Sequence, residues 1–415
     1  LDILENVEST FVHGYMSNAG YDDCRAAMAQ KESLEQGVAV DASCVIMTVG
    51  AASAISSVIK ALIMPGEEVI VPSPFFAEYT HYANNHGGVL VPVATKKDFS
   101  LDIEAIKAAL NSKTVAFIIN SPNNPTGKIY SREEIRLLCQ ALKDFGEKSG
   151  RYPYLICDEP YRAIVYDGAE VPPVFPEYEY SVIVTSFAKN LSIPGERVGY
   201  ICVNPSNPEK AEFVAAATMA FRISGCVNAP AFFQKVVAKS WNAPVDYSSY
   251  LKKRDLLMEV LDNAGIEYVR PQGAFYIFAK VPAAFGSDDA AFVDVLEKNL
   301  ILCAPGTGFG MKGYFRIAYC VEEKTIVNSR DAVSALSIVL TNMGHEVKIV
   351  IPRYYKIDRK TLTPLAGAMG VGVGGGEAWT EVYKTTMPGC PKCEVFFIDH
   401  EQSFGRDGIY GVPGE

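Results

Sequence analysis

Short runs of apolar residues alternate with longer amphipathic stretches between about residues 45 and 200. Four of these runs cover residues 69–72, 115–119, 154–157 and 182–185, and each leads into polar or turn-forming residues. Apolar runs of this length, without polar alternation, are typical of strands that are buried on both faces of a parallel sheet. The pattern therefore predicts an α/β fold in which helices cover a mainly parallel sheet.

Polar side chains follow three of these four predicted strands. Asn120, Asp158 and Ser186 each come directly after an apolar run. Ligands of open α/β sheets bind at the carboxyl ends of the strands. We therefore expect the three segments to meet at one edge of the sheet and to form a single site.

The pattern changes after Tyr200. A long helical stretch continues through Lys253 and beyond, and shorter apolar runs at residues 265–269, 273–278 and 315–318 predict strands of a smaller α+β domain. A third pattern begins near Asp331, with an amphipathic helix to Met343 and then a strand that ends at Pro352.

We therefore predict three parts of the chain. The first is a large domain over residues 1–225, and the second, over residues 226–330, is the remainder of that domain with the small domain. The third, over residues 331–415, is an incomplete Rossmann-like α/β segment.

Composition narrows the class of partner. The chain has 415 residues, 49% of them apolar, and a net charge of −10. Nonspecific binding to nucleic acid or to an anionic membrane needs basic patches, and a chain with an excess of acidic residues is less suited to form them. No apolar run reaches the ~18 residues of a membrane-spanning helix. Small molecules are the expected partners.

Ten cysteines are scattered without a repeating pattern, mostly in apolar stretches, which favours reduced thiols and a cytoplasmic location. Cys390 and Cys393 have the spacing of a zinc or redox pair. No second pair or histidine cluster accompanies them, so we predict a turn with two thiols and no metal site.

Residues 186–200 carry the most informative chemistry, because Lys189 stands between Ser186 and Arg197. An amine can form an imine with an aldehyde, while a hydroxyl and a guanidinium can bind a phosphate. A lysine alone at a strand end would more simply extend to solvent. With both neighbours present, the segment indicates a site for a phosphorylated aldehyde.

This segment does not stand alone. Asn-Ser-Pro-Asn-Asn-Pro-Thr-Gly at residues 120–127, Asp-Glu-Pro-Tyr at 158–161 and Phe-Arg-Ile-Ala at 315–318 accompany it. With these motifs the chain, from about residue 15 to 330, resembles the fold-type I aminotransferases of class I/II, which use pyridoxal 5'-phosphate (PLP). The resemblance implies a seven-stranded, mainly parallel sheet in the large domain. It also implies a ping-pong transfer of an amino group from an amino acid to a 2-oxo acid through a Schiff base on Lys189.

The resemblance assigns roles around the cofactor ring. Asp158 would pair with the ring nitrogen, and Tyr161 and Asn124 would bind the 3'-oxygen. Lys189 would also act as the general base, for which its amine must be kept uncharged. Taken alone, Asp158 could equally cap a helix.

The same resemblance places the phosphate at the start of a helix. Backbone N–H groups of Ala51 and Ala52, in the turn that follows a predicted strand, would bind it together with Ser186 and Arg197. Small residues also begin helices that pack closely on sheets, so the turn by itself is a weak signal.

Three further roles follow from the resemblance. Phe76 would stack on the ring, although an ordinary core aromatic is an equal alternative. Arg316 would bind the substrate α-carboxylate, with Asn124 as a second substrate-binding residue. Tyr15 would reach the phosphate of the neighbouring subunit, which implies a homodimer.

Both ends of the chain raise further expectations. Residues 331–411 resemble the start of starch and glycogen synthases, but the Lys-x-Gly-Gly-Leu segment of those enzymes is missing before Asp331. We therefore expect no glycosyl transfer. Aminotransferases of this type usually have a few dozen residues before the segment that matches Tyr15, so we expect a truncated start and an uncertain activity.

Three alternatives remain open at this point. A PLP-dependent β-elimination lyase would share nearly all the cofactor residues. The chain could instead be a starch or glycogen synthase fragment fused to an inactive transaminase-like region, or an assembly-derived chimera. The donor amino acid is not predicted, because loops and the partner subunit normally select it.

Overall fold

The computed structural model describes residues 14–329, 346, 348–353, 357–373, 376–387 and 390–399. The chain divides into two compact units. The first unit consists of residues 1–281, 287–290 and 303–322, and the second consists of residues 282–286, 291–302 and 323–415.

The α-helices of the described residues are α1 (Asp22–Gln36), α2 (Gly50–Leu62), α3 (Glu78–Asn84), α4 (Ile103–Ala109), α5 (Arg132–Ser149), α6 (Phe187–Asn190), α7 (Lys210–Phe221), α8 (Ala231–Ser240), α9 (Ser248–Asn263), α10 (Asp289–Lys298) and α11 (Glu323–Asn328). The strands are β1 (Val45–Thr48), β2 (Glu68–Ser73), β3 (Val89–Ala94), β4 (Thr114–Asn120), β5 (Tyr154–Asp158), β6 (Ser181–Ser186), β7 (Gly199–Val203), β8 (Tyr276–Lys280), β9 (Ala304–Pro305), β10 (Tyr314–Ala318), β11 (Lys348–Pro352), β12 (Thr363–Val373), β13 (Gly376–Met387) and β14 (Cys390–Asp399).

A seven-stranded sheet forms the centre of the first unit, with the strand order β1-β7-β6-β5-β4-β2-β3. Strands β3, β2, β4, β5 and β6 pair in parallel, and β7 pairs antiparallel with both β6 and β1. The expected α/β fold with a mainly parallel sheet is therefore confirmed.

Burial on both faces of this sheet explains the unbroken apolar runs of the sequence. Along β4, Phe117 and Ile119 belong to one buried cluster, whereas Ala116 and Ile118 belong to another. Every residue of β4, β5 and β6 is buried. Apolar side chains that alternate between two cores leave no polar face, so the strands show no alternation in sequence.

The region after Tyr200 departs from the sequence prediction in one place. The long helical stretch consists of α7, α8 and α9, and α7 is separated from α8 where Gly225 takes a left-handed φ of 88° and Pro230 precedes α8. The strand predicted at residues 265–269 was wrong, since only an isolated bridge joins Tyr268 to Ala279. The other two predicted strands are β8 and β10, which pair antiparallel in the sheet β8-β10-β9.

The second unit contains a four-stranded sheet with the order β11-β14-β13-β12. Strand β11 matches the predicted strand that ends at Pro352 and pairs in parallel with β14. The helix predicted over residues 331–343 lies outside the described residues.

Cys390 and Cys393 lie buried in strand β14 rather than in the predicted turn. All ten cysteines are free thiols, as expected. In the part of the chain that the structure describes, no helix combines the length and the apolar character needed to cross a membrane.

Candidate functional site

Three strands end side by side at one edge of the large sheet. The register places Asn120, at the end of β4, opposite Asp158 at the end of β5, and Asp158 opposite Val184 of β6. Ser186 ends β6 two residues later. The three segments singled out in the sequence therefore begin at neighbouring positions of this edge.

Asp158 is buried and has one satisfied and one unsatisfied oxygen. Its Oδ2 accepts a 2.5 Å hydrogen bond from the hydroxyl of Tyr79 and a 3.3 Å contact from Nδ2 of Asn120. Its Oδ1 is buried without a hydrogen-bond partner. Burial raises the pKa of Asp158 to about 7, and the hydrogen bond from Tyr79 opposes that rise. A buried carboxylate oxygen that has no hydrogen-bond partner can accept a hydrogen bond from a cationic N–H group.

Lys189 lies on the short helix α6, immediately after β6. Ser186 precedes this helix in an extended conformation, and its side chain does not cap the helix. Burial lowers the pKa of Lys189, and the charges of Arg197 and Arg316 act in the same direction, although Cys320 opposes them. A lowered pKa increases the fraction of uncharged amine, which is the nucleophilic form.

Two aromatic rings lie near the amine of Lys189. Its Nζ is 5.3 Å from the ring centroid of Phe275 and 6.0 Å from that of Tyr161. These rings limit the access of water to one side of the amine, which agrees with burial as the main cause of its lowered pKa.

The start of helix α2 lies beside the guanidinium of Arg197. Gly50, the first residue of α2, has a φ of 74°, and a Cβ atom built there would be only 2.9 Å from Nη2 of Arg197. Ala51 and Ala52 form the first turn of this helix, where backbone N–H groups lack partners within the helix. A cation beside such a helix start is suited to bind a phosphate.

Gly199 brings this turn and the sheet close together. A Cβ atom on Gly199 would be 2.4 Å from the carbonyl oxygen of Thr185 and 2.8 Å from the carbonyl carbon of Gly50. Backbone atoms cannot move aside as a flexible side chain can. The approach of β7 to the start of α2 therefore requires glycine here.

Asn124 is buried, and both its backbone and its side chain form hydrogen bonds. Its backbone N–H donates a 2.6 Å hydrogen bond to Oδ1 of Asn120. Its own Oδ1 accepts a 2.9 Å hydrogen bond from Nη1 of Arg316. The predicted partner of the ring oxygen and the predicted carboxylate-binding residue are thus in direct contact.

Arg316 lies close to two rings, with its Cζ atom 4.6 Å from the ring centroid of Tyr276 and 4.7 Å from that of Phe309. The hydroxyls of Tyr276 and Tyr161 are 3.0 Å apart. Burial raises the pKa of Tyr161 well above its usual value, so this phenol stays protonated. These contacts connect Arg316 with Tyr161 through Tyr276.

The two remaining candidates differ in their placement. The ring of Phe76 is half-buried and meets the ring of Tyr79 edge to face, with centroids 5.6 Å apart. Phe76 is therefore linked to Asp158 through Tyr79. Tyr15 is 96% exposed, so within this chain it belongs to the surface rather than to the buried cluster.

A separate cluster of buried and half-buried charges includes Glu159, the residue after Asp158. Glu159 pairs with Arg162 at 2.8 Å, and Arg162 also contacts Glu35 at 3.3 Å. Glu35 pairs in turn with Lys31 at 2.7 Å. Burial raises the pKa of Glu159 to about 7 despite the opposing charge of Arg162.

Sequence reasoning overlooked two residues of the site: Tyr79 and Tyr276. Asn120 was expected at the site from its place at a strand end, but its contacts with Asp158 and Asn124 were not predicted. Tyr79 lies in the same segment as Phe76, but nothing in the sequence indicates that it contacts Asp158. The contact of Tyr276 with Arg316 depends on strand pairing in the small sheet and has no sequence signal.

Comparison with known proteins agrees with this geometry. Residues 4–333 match the sequence model of the family described as aminotransferase class I and II, and residues 331–415 match that of the starch synthase catalytic domain. A probable aspartate/prephenate aminotransferase of Thermus aquaticus is 33% identical over 319 residues, which cover 75% of this chain and 80% of that protein. The aspartate/prephenate aminotransferase of Thermus thermophilus is 31% identical over 333 residues, covering 79% and 83%.

Solved structures give the same result. The crystal structure of an amino transferase from Eubacterium rectale superposes with a TM-score of 0.77 and 38% identity, over 80% of this chain and 83% of that one. The aspartate aminotransferase from Thermus thermophilus with maleate has a TM-score of 0.68 and 29% identity, over 78% and 83%.

Proposed function

The chain belongs to the family of class I and II aminotransferases, with a first unit of fold type I, and on that premise we propose that it is a PLP-dependent enzyme that moves an amino group from an amino acid to a 2-oxo acid. One observation carries the proposal. Asp158 ends β5 with an unsatisfied Oδ1, and Lys189, whose pKa is lowered, lies just after the adjacent strand β6. Together they offer an aldehyde-binding amine and an acceptor for a ring N–H group.

The residues of the site fit PLP at each of its polar groups. Oδ1 of Asp158 would accept the N–H of the ring, and Arg197 with the start of α2 would bind the phosphate. Tyr161 and Asn124 would hold the 3'-oxygen. When bound, PLP supplies an aldehyde that captures amines and a ring that withdraws electrons from the substrate Cα.

Lys189 performs the proton transfers in this proposal. Its uncharged Nζ would hold PLP through the aldehyde of the cofactor and, when a substrate amine takes that place, would be the base that accepts the proton of the substrate Cα. The lowered pKa of Lys189 keeps a larger fraction of the amine able to accept that proton. Lys189 would also return that proton, and hydrolysis by water would release the 2-oxo acid. A second 2-oxo acid would then take the amino group in a ping-pong cycle, with PLP supplying the carbonyl that carries the amino group between the two substrates.

Arg316 orients the substrate. Its guanidinium can hold the planar α-carboxylate with two hydrogen bonds, a geometry that lysine cannot reproduce. The rings of Tyr276 and Phe309, both within 5 Å of its Cζ atom, restrict the movement of the guanidinium. The substrate Cα would then lie between Arg316 and Lys189.

We place this activity in a cytoplasmic homodimer in which Tyr15 reaches the phosphate of the neighbouring subunit. The exposure of Tyr15 supports this assignment, because an exposed phenol is available to a second subunit. Ten free thiols support a reducing compartment.

The proposal is tested by adding PLP to the purified chain and recording visible absorption. Wild type should develop a band that Lys189→Ala abolishes and that the surface control Lys210→Ala retains. Aspartate or an aromatic amino acid, with 2-oxoglutarate, should then yield glutamate.

An absorption band that does not depend on Lys189 would contradict the proposal. Release of a 2-oxo acid without an acceptor would indicate a β-elimination lyase instead, and turnover of a sugar nucleotide would contradict the expectation of no glycosyl transfer.

A further inference from the structure

A cavity of about 380 Å³ lies in the first unit and is lined by both acids and bases. The acids are Asp98 and Asp167, and the bases are Lys128 and Arg270. Among the described residues that line it, none is assigned to the cofactor or to the substrate of the proposed reaction. Cavities that bind small molecules have volumes of about 300–1,000 Å³. We propose that this cavity binds an α-amino acid as a zwitterion, at a site separate from the proposed active site.

The two bases of the cavity keep N–H donors that the protein does not use. In the described part of the chain no group accepts a hydrogen bond from Nζ of Lys128, whose ion pair with Oδ2 of Asp98 is 3.8 Å long. Arg270 donates through Nε to Asp167 at 3.2 Å, and its Nη2 is 3.6 Å from Asp255. Ammonium and guanidinium groups can only donate, so their remaining N–H groups suit an anion such as a carboxylate.

Asp98 offers the complementary acceptor. Both hydrogen bonds that it receives from Ser100, at 2.6 Å from the hydroxyl and 3.2 Å from the backbone N–H, go to Oδ1. These hydrogen bonds lower the pKa of Asp98, so its carboxylate is ionised at neutral pH. Its Oδ2 is too far from Lys128 for a hydrogen bond and can accept one from an ammonium group. A carboxylate ligand without an ammonium group would be repelled by Asp98.

The charges around the cavity balance. Asp167 accepts hydrogen bonds of 2.7 and 3.2 Å from Arg254, whose side chain is completely buried and also pairs with Asp255. With these partners included, three acids face three bases, namely Asp98, Asp167 and Asp255 against Lys128, Arg254 and Arg270. Surroundings without net charge suit a ligand without net charge, which a zwitterion is.

Part of the lining is apolar. Val269 and Ala169 contribute aliphatic side chains, and the ring of the buried Tyr166 lies beside them. The hydroxyl of Tyr166 donates to the carbonyl oxygen of Ala274, so it is already satisfied. An aliphatic side chain of the ligand can therefore pack here without leaving a polar group unpaired. Leucine is a suitable probe.

Backbone hydrogen bonds fix the segments that form the cavity. The N–H of Gln272 donates to the carbonyl of Gly127 at 2.9 Å, and the N–H of Tyr166 donates to the carbonyl of Gln272 at 2.9 Å. The side-chain oxygen of Gln272 accepts from the N–H of Ile129 at 3.2 Å. The segments before β8, after β5 and around Lys128 are thus joined directly. A ligand that enters a fixed cavity orders little additional chain.

The test compares leucine with two analogues, each of which lacks one charge. The analogue 4-methylpentanoate has no ammonium group, and 3-methylbutylamine has no carboxylate. The full chain is titrated calorimetrically before PLP is added, so that no amine reacts with the cofactor. Leucine should bind at least about tenfold more tightly than either analogue, because each analogue loses one charge-assisted hydrogen-bonding group.

Two variants assign the charges of the ligand to the cavity. Lys128→Gln should abolish the preference for leucine over the amine, and Asp98→Asn should abolish the preference over the carboxylate. Arg270→Gln should act in the same way as Lys128→Gln and serves if that variant does not fold. Lys113→Gln, which changes an exposed lysine just before β4, should leave all three affinities unchanged.

The variant Arg316→Lys separates this cavity from the proposed active site. It should retain the leucine affinity of wild type, both without PLP and when the titration is repeated with saturating PLP. A loss as large as in Lys128→Gln would place the ligand at Arg316 and overturn the proposal.

The remaining outcomes are equally decisive. Absence of leucine binding, or equal affinity for leucine and 4-methylpentanoate in wild type, would overturn the zwitterion site. Both results would leave the proposed function intact, because the Lys189-dependent absorption band tests that function independently. Loss of the two preferences in Lys128→Gln and Asp98→Asn, with binding retained in Arg316→Lys, supports the site.

Discussion

The guanidinium of Arg316 donates a 2.9 Å hydrogen bond to the side-chain oxygen of Asn124, although 192 positions separate the two residues. Asn124 is itself fixed by the 2.6 Å hydrogen bond from its backbone N–H to Asn120. Asn120, at the end of β4, therefore holds the backbone of the residue whose side chain accepts from Arg316. A group held in this way loses little further freedom when a carboxylate binds.

Replacing Arg316 by lysine should impair substrate binding more than cofactor binding. Lysine keeps the charge but loses the planar fork and the contact with Asn124, so KM for the amino acid should rise by about tenfold or more. The affinity for PLP, measured by visible absorption, should stay within about threefold of wild type. Steady-state kinetics with increasing amino acid concentrations would measure the change.

A control for this variant is Arg151→Lys. Arg151 pairs with Glu67 at 2.6 Å, just before the starts of β5 and β2 and thus at the opposite edge of the sheet. It should leave both KM and PLP affinity unchanged. An unchanged KM in Arg316→Lys would show that another group binds the carboxylate.

Adding one methyl group at Gly199 should disrupt the phosphate-binding region. The new Cβ would overlap the carbonyl of Thr185 and the backbone of Gly50, so either β7 or the start of α2 must shift. We expect Gly199→Ala to weaken PLP binding at least about tenfold and to destabilise the protein by about 1–3 kcal/mol. Equilibrium titration with PLP and thermal unfolding of the PLP-free protein would measure the two effects.

Gly195→Ala is the matched control, because a Cβ at Gly195 has no heavy atom within 4 Å. It makes the same chemical change a few residues away in the segment that carries Arg197. If Gly195→Ala weakened PLP binding as much as Gly199→Ala, the close approach of β7 to α2 could not be the reason.

Local sequence signals were sufficient for the strands of the large sheet and for the polar residues at their ends. Asn120, Asp158 and Ser186 stand out because an unbroken apolar run precedes each of them, and parallel pairing then brings the strand ends together. These strand ends lie side by side in any mainly parallel α/β sheet of this kind, and the apolar pattern indicates that fold class.

Contacts set by pairing between distant segments had no such signal. Tyr276 reaches Arg316 because β8 and β10 pair with Arg316 opposite Phe278, and no local pattern encodes that register. The strand wrongly predicted at residues 265–269 begins at Gly265, which has a φ of 65°, and Pro271 follows soon after its end. Local hydrophobicity favoured a strand there, but Tyr268 alone forms a bridge.

Removing the positive charge of Arg162 should destabilise the protein. The side chain of Glu159 is 4% exposed and pairs with Arg162, so Arg162→Met would leave a buried carboxylate without its partner, at a cost of about 3 kcal/mol. The pKa of Glu159 should then rise above its present value of about 7, and the loss should be greater at about pH 8 than at about pH 6. Urea unfolding at the two pH values would measure it.

The exposed pair Arg136 and Glu133 provides the contrast for this prediction. Both side chains are more than half exposed and lie three residues apart on α5. Arg136→Met should leave the unfolding midpoint unchanged, since solvent screens such pairs. A loss in Arg162→Met that is small and independent of pH would mean that Glu159 is stabilised by other groups.

Neutralising Asp158 should stabilise the PLP-free protein in a pH-dependent way. The folded-state pKa of Asp158 is raised from 3.8 to about 7, so its favourable contribution is fully present below the unfolded value and is lost as the pH rises through about 7. The Asp158→Asn variant does not titrate there. Its free energy of unfolding, relative to that of wild type, should increase by about 2 kcal/mol between about pH 5.5 and about pH 8.

Glu159, with a similar pKa, is present in both proteins, so its contribution cancels in the difference. Urea unfolding of both proteins across this range would measure the advantage, and a difference that stays flat or shrinks with rising pH would show that Asp158 is ionised in the folded protein without PLP. Saturating PLP should reverse the order of stability, because only the aspartate gains a charged partner at Oδ1.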